Sequence, residues 1–423
     1  MTSSRFKFLI ALSTFLILFS AISLSAQEAD DLLAITAPDC DYGGNVRALE
    51  AVDNRTVRLS LCNPDPALPS KVAHLALAIH PAAHLEATAA TEELLTRPIG
   101  TGPYQLQSWE PGKEIILSRF DDYWGFPASE PQVIIRWNPS AVARRIALQS
   151  GEVDGIDNVA ESDLEAIADD ATLNLLARPA VTAAYLATSN YFPPFDDVRV
   201  RQAIAHAIDR NGLVQRFYPP GSVVAQGFVP PSIFGSTADE VQTLPYDPDR
   251  ARELLEEAAQ DLGFTLPIQT TLSHWDVGRA YLPLPAEIAS DIQAQLAEVG
   301  IEAEIIMKDP GEFVESVLAG QEPLYLLGWS ADYLDGANFL DFLFNPAARN
   351  LGNPYPEIVE ALVSANHLSS QEERYALFLQ VNTAIRDLAP IVPLAHGASA
   401  VAFNGQIEHH LDAKWRTHQP VLQ

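Results

Sequence analysis

PLYLLGWSADYLDGANFLDFLF, residues 323–344, joins an apolar run to a short polar loop and then to a second apolar run. Leu324 to Trp329 carries no charge, as expected of a strand buried on both faces of a sheet. Ser330-Ala331-Asp332-Tyr333 follows directly, so Asp332 falls just past a strand end, where α/β lobes place their ligand contacts. A carboxylate held beside Trp329 and Tyr333 is expected to be partly shielded from water and to need a cationic partner. The same residue types also suit an aspartate that caps the next turn or pairs with an arginine, with the aromatic rings in the core. The sequence leaves both readings open.

Upstream, helices and strands alternate. Asp247-Pro248 opens a helix, with Asp as N-cap and Pro at its first position, and Ala251, Leu254, Leu255 and Ala258 recur at helical spacing. A strand is expected over Thr265 to Thr271. Ile288, Ile292, Leu296 and Val299 stripe the next helix, which Gly300 ends. Ile301, Ala303 and Ile305 alternate as a strand, and Phe313, Val317 and Leu318 mark a helix closed by Gly320. This succession predicts an α/β lobe whose sheet is covered by helices. Downstream, Ser370 and Glu373 form a capping box before a helix buried along Leu377, Val381, Ile385 and Leu388. Earlier, Asp197 caps a helix whose apolar face is Val200, Ala203, Ile204, Ala207 and Ile208. Residues 100–120 read as strand, turn, strand around Pro111-Gly112. There, Gly100 and Gly102 are expected to permit tight backbone geometry, with Tyr104 packed.

The chain has 423 residues, too many for one ordinary core, so two or three lobes are expected. Its 55 acidic and 26 basic residues give a formal charge of −29, which repels nucleic acid and anionic lipid headgroups. Arg5 and Lys7 precede an uncharged run, Phe8 to Ser25, then the small residues Ser25-Ala26, and acids begin at Glu28. That is the layout of a secretory signal peptide over residues 1–26. Leu24 occupies a position where a small residue is usual, so an uncleaved anchor remains the alternative. No cysteine precedes Cys40, which excludes a lipoprotein-type acylation site in the leader. Later stretches fall short of the roughly 18 apolar residues that a membrane helix needs.

Cys40 and Cys62 bracket two alternating segments with a turn near Asp53-Asn54. A hairpin there would bring the pair together, as a disulfide in an exported protein or as two buried thiols. Common catalytic signatures are absent: no G-x-S-x-G elbow, no H-E-x-x-H, no phosphate-cradling loop. His80 and His84 stand four apart, but Pro81 and the lack of an acid argue against a metal site; His409 and His410 are no better placed. No metal, no cofactor and no enzymatic activity are expected.

Six segments, in order, resemble the extracytoplasmic solute-binding proteins of peptide and nickel ABC importers, family 5. They are PIGTGPYQLQSWEPGKEIILSRFDDYWG (98–125), ALQSGEVDGI (147–156), VRVRQAIAHAIDRNGLV (198–214), YDPDRARELLEEA (246–258), GWSADYLDGANFLDFLF (328–344) and APIVPLAHG (389–397). Residues 27–97 are shorter than the corresponding region of full-length relatives, which carries most of a small accessory domain. The family's loop also usually has Pro-Asp-Pro after the tyrosine, where this chain has Leu334-Asp335-Gly336.

The resemblance implies a two-lobed α/β fold of the periplasmic-binding-protein type, class II, with a truncated accessory domain. Lobe one is expected over residues 27–215 plus a return segment, 393–423, and lobe two over 216–392. The implied function is capture of a solute, a peptide foremost, between lobes that close by hinge motion. The partners would be a membrane permease with its ATPases, the binding protein itself being a monomer outside the cytoplasm. In peptide-binding relatives the aspartate matching Asp332 pairs with the ligand's α-ammonium; Trp329, Tyr333 and Asn338 would complete the ligand site. Two alternatives remain: a non-peptide solute such as an oligosaccharide or metal chelate, and an extracytoplasmic sensor or chaperone. Protein recovered from the extracytoplasmic fraction is expected to begin near Gln27 on N-terminal sequencing; a cytoplasmic protein retaining Met1 would refute export.

Overall fold

The computed structural model describes residues 33–405 apart from 75–76, 89–90 and 92; the leader at 1–26 and the pair His409 and His410 lie outside the described residues. Contacts divide the chain between Asn63 and Pro64 into two units. In the first, β1 (Ala34–Thr36), β2 (Val46–Ala51) and β3 (Val57–Leu61) form an antiparallel sheet in sequence order. Asp53 makes the β2–β3 turn, its Oδ1 accepting the Arg55 N–H at 2.7 Å. Cys40 and Cys62 are disulfide-bonded, their Cα atoms 5.6 Å apart.

The second unit holds three sheets. The hairpin expected around Pro111-Gly112 is β4 (Tyr104–Glu110) and β5 (Glu114–Arg119), extended by β6 (Gln132–Arg136). The residues before it are not tightly constrained: a Cβ added at Gly100 or Gly102 would meet nothing within 4 Å, and Tyr104 is only half-buried, its hydroxyl donating to Glu130 O at 3.1 Å. The expectation of tight glycine geometry fails because the space beside both Cα atoms is open, although the segment itself is tied down by Trp124 Nε1 donating to Thr101 O at 3.0 Å and Phe120 N to Pro103 O at 2.9 Å. A second sheet has the order β7 (Gly155–Ile156), β15 (Ser399–Asn404), β8 (Leu173–Arg178), with a small core of Leu148, Ile156, Val159, Ile167, Ala400 and Ala402.

The largest sheet has six strands in the order β10 (Val223–Val224), β14 (Ile391–His396), β9 (Thr182–Thr188), β13 (Leu324–Ser330), β11 (Ile268–Trp275), β12 (Ile301–Lys308). β11 is parallel to both β12 and β13, whereas β9 runs antiparallel to β13 and β14. Every residue of β9 is buried, as a central strand covered on both faces requires. The predicted helix–strand alternation appears as helices Pro248–Leu262, Pro285–Glu298 and Pro310–Leu318 between these strands. Asp247 Oδ1 caps the first, accepting the Arg250 N–H at 2.9 Å, and Gly263 closes it at φ 76°. β11 starts at Ile268 and not at Thr265, because Pro267 has no N–H to give a ladder. In the helix Gln371–Leu388, Ser370 Oγ accepts the Glu373 N–H at 3.3 Å as the capping box implied. Its buried stripe is Arg374, Phe378, Val381 and Ile385; Leu377 and Leu388 sit at the margin.

The chain passes between the six-stranded sheet and the β7–β15–β8 sheet twice, after β8 and after β14. β9, which precedes residue 215, thus shares a sheet with strands of the expected second lobe. The two passages are tied together. Thr182 Oγ1 lies 3.0 Å from Gly397 O and accepts the Gly397 N–H at 3.1 Å. His396 Nδ1 donates to Thr182 O at 2.8 Å, and its Nε2 is buried without a partner among the described residues. Burial pushes the His396 pKa down to about 4, against the opposing effect of the Thr182 carbonyl.

That shift sets a pH dependence. Unfolded histidine titrates near 6.5, so between that value and about 4 the unfolded chain takes up a proton that the fold refuses. The resulting stability is complete above the unfolded pKa and is lost as pH falls through the folded one, about 3 kcal/mol in all. Denaturant titrations at pH 7 and pH 4.5 are expected to show a smaller acid loss for His396→Gln than for the unaltered protein. Equal losses would mean that His396 does not report on acid stability.

Candidate functional site

The loop after β13 turns on Asn338, in the first turn of the helix Gly336–Phe344. Its Oδ1 accepts the Asp332 backbone N–H at 2.8 Å and the Trp329 indole N–H at 3.1 Å. Its Nδ2 donates to Asp332 Oδ2 at 3.2 Å. One amide therefore draws together three of the four residues singled out in the sequence. Trp329 is further fixed by stacking on Phe342, ring centroids 4.5 Å apart. Tyr333, the fourth, has its phenol pushed up chiefly by burial and then by the negative charge of Asp341 and Asp335.

Asp332 is less shielded than its aromatic neighbours suggested. Its side chain is 46% exposed, with His74 Nε2 at 3.8 Å from Oδ1. Lys71 stands 5.5 Å from the centre of the Tyr333 ring, its ammonium held by Asp65 at 2.8 Å. Asp341 lies on the helix behind, its carboxyl pushed up by burial against the opposing bond from Asn366 at 2.8 Å. The loop thus offers a reachable carboxylate beside half-buried rings, an arrangement suited to a cationic group with an apolar body.

The capping and arginine-pairing roles weighed for Asp332 belong to Asp335. Its Oδ1 accepts the Ala337 N–H at 3.0 Å, capping the helix. Both carboxylate oxygens take a fork from Arg374 at 2.9 Å, with side-chain exposures of 7% and 3%. Arg374 also donates to Ala365 O at 2.9 Å and lies over the Phe234 and Phe378 rings, 5.1 Å and 5.2 Å from their centres. Gly336 N donates to Phe234 O at 2.7 Å, and a Cβ at Gly336 would stand 3.1 Å from that oxygen. The departure from the usual Pro-Asp-Pro therefore lets the loop close on Phe234. Sequence reading passed over Asp335 and Arg374, although an aspartate immediately before Gly-Ala-Asn-Phe-Leu is itself a cap signal. Among the described residues no group of three or more His, Cys, Asp or Glu is placed to hold a metal; His80 Nδ1 and His84 Nε2 are buried without partners.

The family described as bacterial extracellular solute-binding proteins, family 5 (middle), matches residues 21–350. The chain belongs to this family. It is 29% identical to the dipeptide-binding protein of Escherichia coli over 359 residues, covering 83% of this chain and 66% of that one. Heme-binding protein A of Haemophilus influenzae is 28% identical over 377 residues, covering 87% and 68%. Among solved structures, the periplasmic binding protein DppA from Helicobacter pylori in complex with the peptide STSA superposes with a TM-score of 0.75 at 27% identity, covering 85% and 70%. The chain thus spans about two thirds of the length of its curated relatives. The two-lobed α/β architecture expected from the six segments is that of the family.

Removing one partner of the Asp335–Arg374 pair strands a buried charge. Asp335→Ala is expected to cost about 3–5 kcal/mol of stability, read as a lowered denaturant midpoint at unchanged slope. A loss below about 1 kcal/mol would place the pair at the level of a surface bridge.

Proposed function

We propose that the protein captures short peptides in a cleft between two lobes and delivers them to the permease of an ABC importer outside the cytoplasm. It acts as a monomeric carrier without catalysis, and an ATPase pair behind the permease drives uptake. The observation that carries the reading is Asp332: an accessible carboxylate at a strand end, oriented by Asn338 and flanked by Trp329 and Tyr333. In this reading Asp332 receives the peptide's α-ammonium, and the two aromatic side chains wall the first residue. The dipeptide-binding relative and the peptide complex of the similar structure support the ligand class. Lobe one, expected over 27–215 with 393–423, and lobe two, over 216–392, are retained in the same proposal with one change: the joined passages at Thr182 and Gly397 are the natural place for the lobes to turn, which moves β9 and the rest of 182–215 into the second lobe.

A heme-binding relative of similar identity keeps a non-peptide solute as a second reading. Calorimetry on a two-by-two set separates the two. Because Asp332 is half-exposed, Asp332→Ala is expected to weaken peptide binding by roughly 1–3 kcal/mol, the range for a hydrogen bond to a charged group. N-acetylation of the peptide should cost about as much in the unaltered protein and little more in the variant, since both changes delete one interaction. Additive losses would remove Asp332 from the ammonium site; no binding of any short peptide would leave the non-peptide reading.

A further inference from the structure

The segment Pro64–His74 lies against the Asp332 loop and fills, with side chains of this chain, the places that the preceding reading gives to a peptide. His74 Nε2 stands 3.8 Å from Asp332 Oδ1, and Lys71 Nζ lies 5.5 Å from the centre of the Tyr333 ring. A basic group at the carboxylate and an alkylammonium over the phenol match what a peptide's amino terminus and first residue would bring. Lys71 is not the counter-ion of Asp332, because its ammonium is bound by Asp65 at 2.8 Å and those two charges cancel. His74 is the basic side chain that faces Asp332.

The hold of this segment on the fold is concentrated at its start. His367 Nδ1 donates to Pro64 O at 3.2 Å, Asp65 Oδ1 accepts the Ala67 N–H at 3.1 Å, and Ala67 is buried. From Leu68 to His74 no residue is buried, and Val72 is 50% exposed. The helix Leu68–Lys71 is a single turn, followed by the Val72 N–H bonded to Leu68 O at 2.9 Å and the His74 N–H bonded to Lys71 O at 3.0 Å. One turn without a buried face has no stability of its own, so the contacts of Lys71 and His74 decide where it rests. A stretch with so few buried apolar contacts opens at a small cost in free energy.

We propose that Pro64–His74 is a strap that stands in for the ligand: His74 rests on Asp332 and Lys71 on Tyr333 until an incoming ammonium takes the carboxylate and displaces them. The inference rests on the peptide reading above and adds to it a residue that sets affinity. Because the strap must open first, the apparent affinity is lowered by the fraction of molecules in which it is closed. A histidine that touched the bound peptide directly would act in the opposite sense, and its removal would weaken binding.

The test begins with calorimetry on the dipeptides Ala-Ala, Ala-Leu and Ala-Phe; the tightest of the three is then titrated into variants at position 74. His74→Ala is expected to tighten binding about twofold to fivefold, the worth of a partly exposed ion pair. His74→Lys, which sets a permanent charge against Asp332, should weaken it by a similar factor. Neither change should matter in an Asp332→Ala background, where the shared carboxylate is gone. Hydrogen exchange read by mass spectrometry supplies an arm that needs no variant of the strap. Without ligand, residues 68–74 should exchange about threefold faster or more in Asp332→Ala than in the unaltered protein, and the unaltered protein should show the same acceleration when saturated with the dipeptide. The inference is overturned if His74→Ala weakens binding or leaves it unchanged, if His74→Lys tightens it, or if the strap exchanges no faster with the dipeptide bound. Failure of all three dipeptides to bind removes the peptide reading and this inference together, whereas binding that ignores His74 removes this inference alone.

Discussion

Arg374 places a full positive charge beneath the loop that follows β13, and Asp335 makes that arrangement tolerable. The two side chains exchange a bidentate pair of hydrogen bonds out of contact with water, the geometry in which mutual attraction best offsets desolvation. The pair reaches across elements distant in sequence. Asp335 caps the helix Gly336–Phe344, while Arg374 issues from the helix Gln371–Leu388 and also binds the last turn of the helix Pro356–His367 through Ala365 O. Asn338, which orients Asp332 and Trp329, stands only three residues from Asp335 on that capped helix. Position and orientation of the exposed carboxylate thus depend on the buried one. Two aspartates three residues apart are separated by burial into different tasks, one committed to the fold and one left accessible.

Much of this was legible in the sequence because it rests on local rules. The cap at Asp247, the stripe from Val200 to Ile208, the capping box at Ser370 and the hairpin at Gly112 each follow from backbone demands that a few adjacent residues satisfy. The apolar run of β13 was readable because a doubly covered strand tolerates no charge. What stayed hidden depends on partners far along the chain. Nothing near Arg374 says that its guanidinium is buried, since arginines in a helix's first turns usually face water. The shift of the buried stripe from Leu377 to Phe378 has the same origin: Phe234 and Gly235, more than a hundred residues upstream, decide which face is covered. The exposure of Asp332 was misjudged for a related reason, because apolar neighbours in sequence need not lie above a side chain in space.

The two passages between sheets show a different constraint. β9 and β14 are adjacent strands of one sheet; the chain reaches β9 from β8 and passes from β14 to β15, each within a few residues, and β8 and β15 belong to the β7–β15–β8 sheet. Thr182 bonds the Gly397 backbone in both directions, and His396 adds a bond to the Thr182 carbonyl. Such a tie holds the two chain crossings at a common level while leaving the backbone beyond them, at Pro179 and Ala398, free of that ladder. A paired crossing of this kind concentrates any relative rotation of the flanking sheets into a few residues. The histidine contributes only as a neutral donor, which is why its burial, and not a counter-ion, governs its titration.

Family membership fixes the architecture; in the proposed reading the local chemistry of the loop selects the ligand. Relatives with dipeptide and heme in their names stand at nearly equal identity, so similarity does not rank the two ligand classes. Charge does. Around Tyr333 the chain gathers Asp332, Asp335, Asp341 and Asp65. Arg374 answers Asp335, and Lys71 answers Asp65. Asp332 is left facing the imidazole of His74 at 3.8 Å, a longer and weaker contact than either ion pair. A heme brings two carboxylates of its own and would meet like charge here, within a protein of formal charge −29. In the proposed reading a peptide brings an ammonium for Asp332 and an apolar first side chain for Trp329 and Tyr333. The electrostatics of the loop therefore favour a cationic terminus over an anionic macrocycle, a preference that similarity alone does not supply.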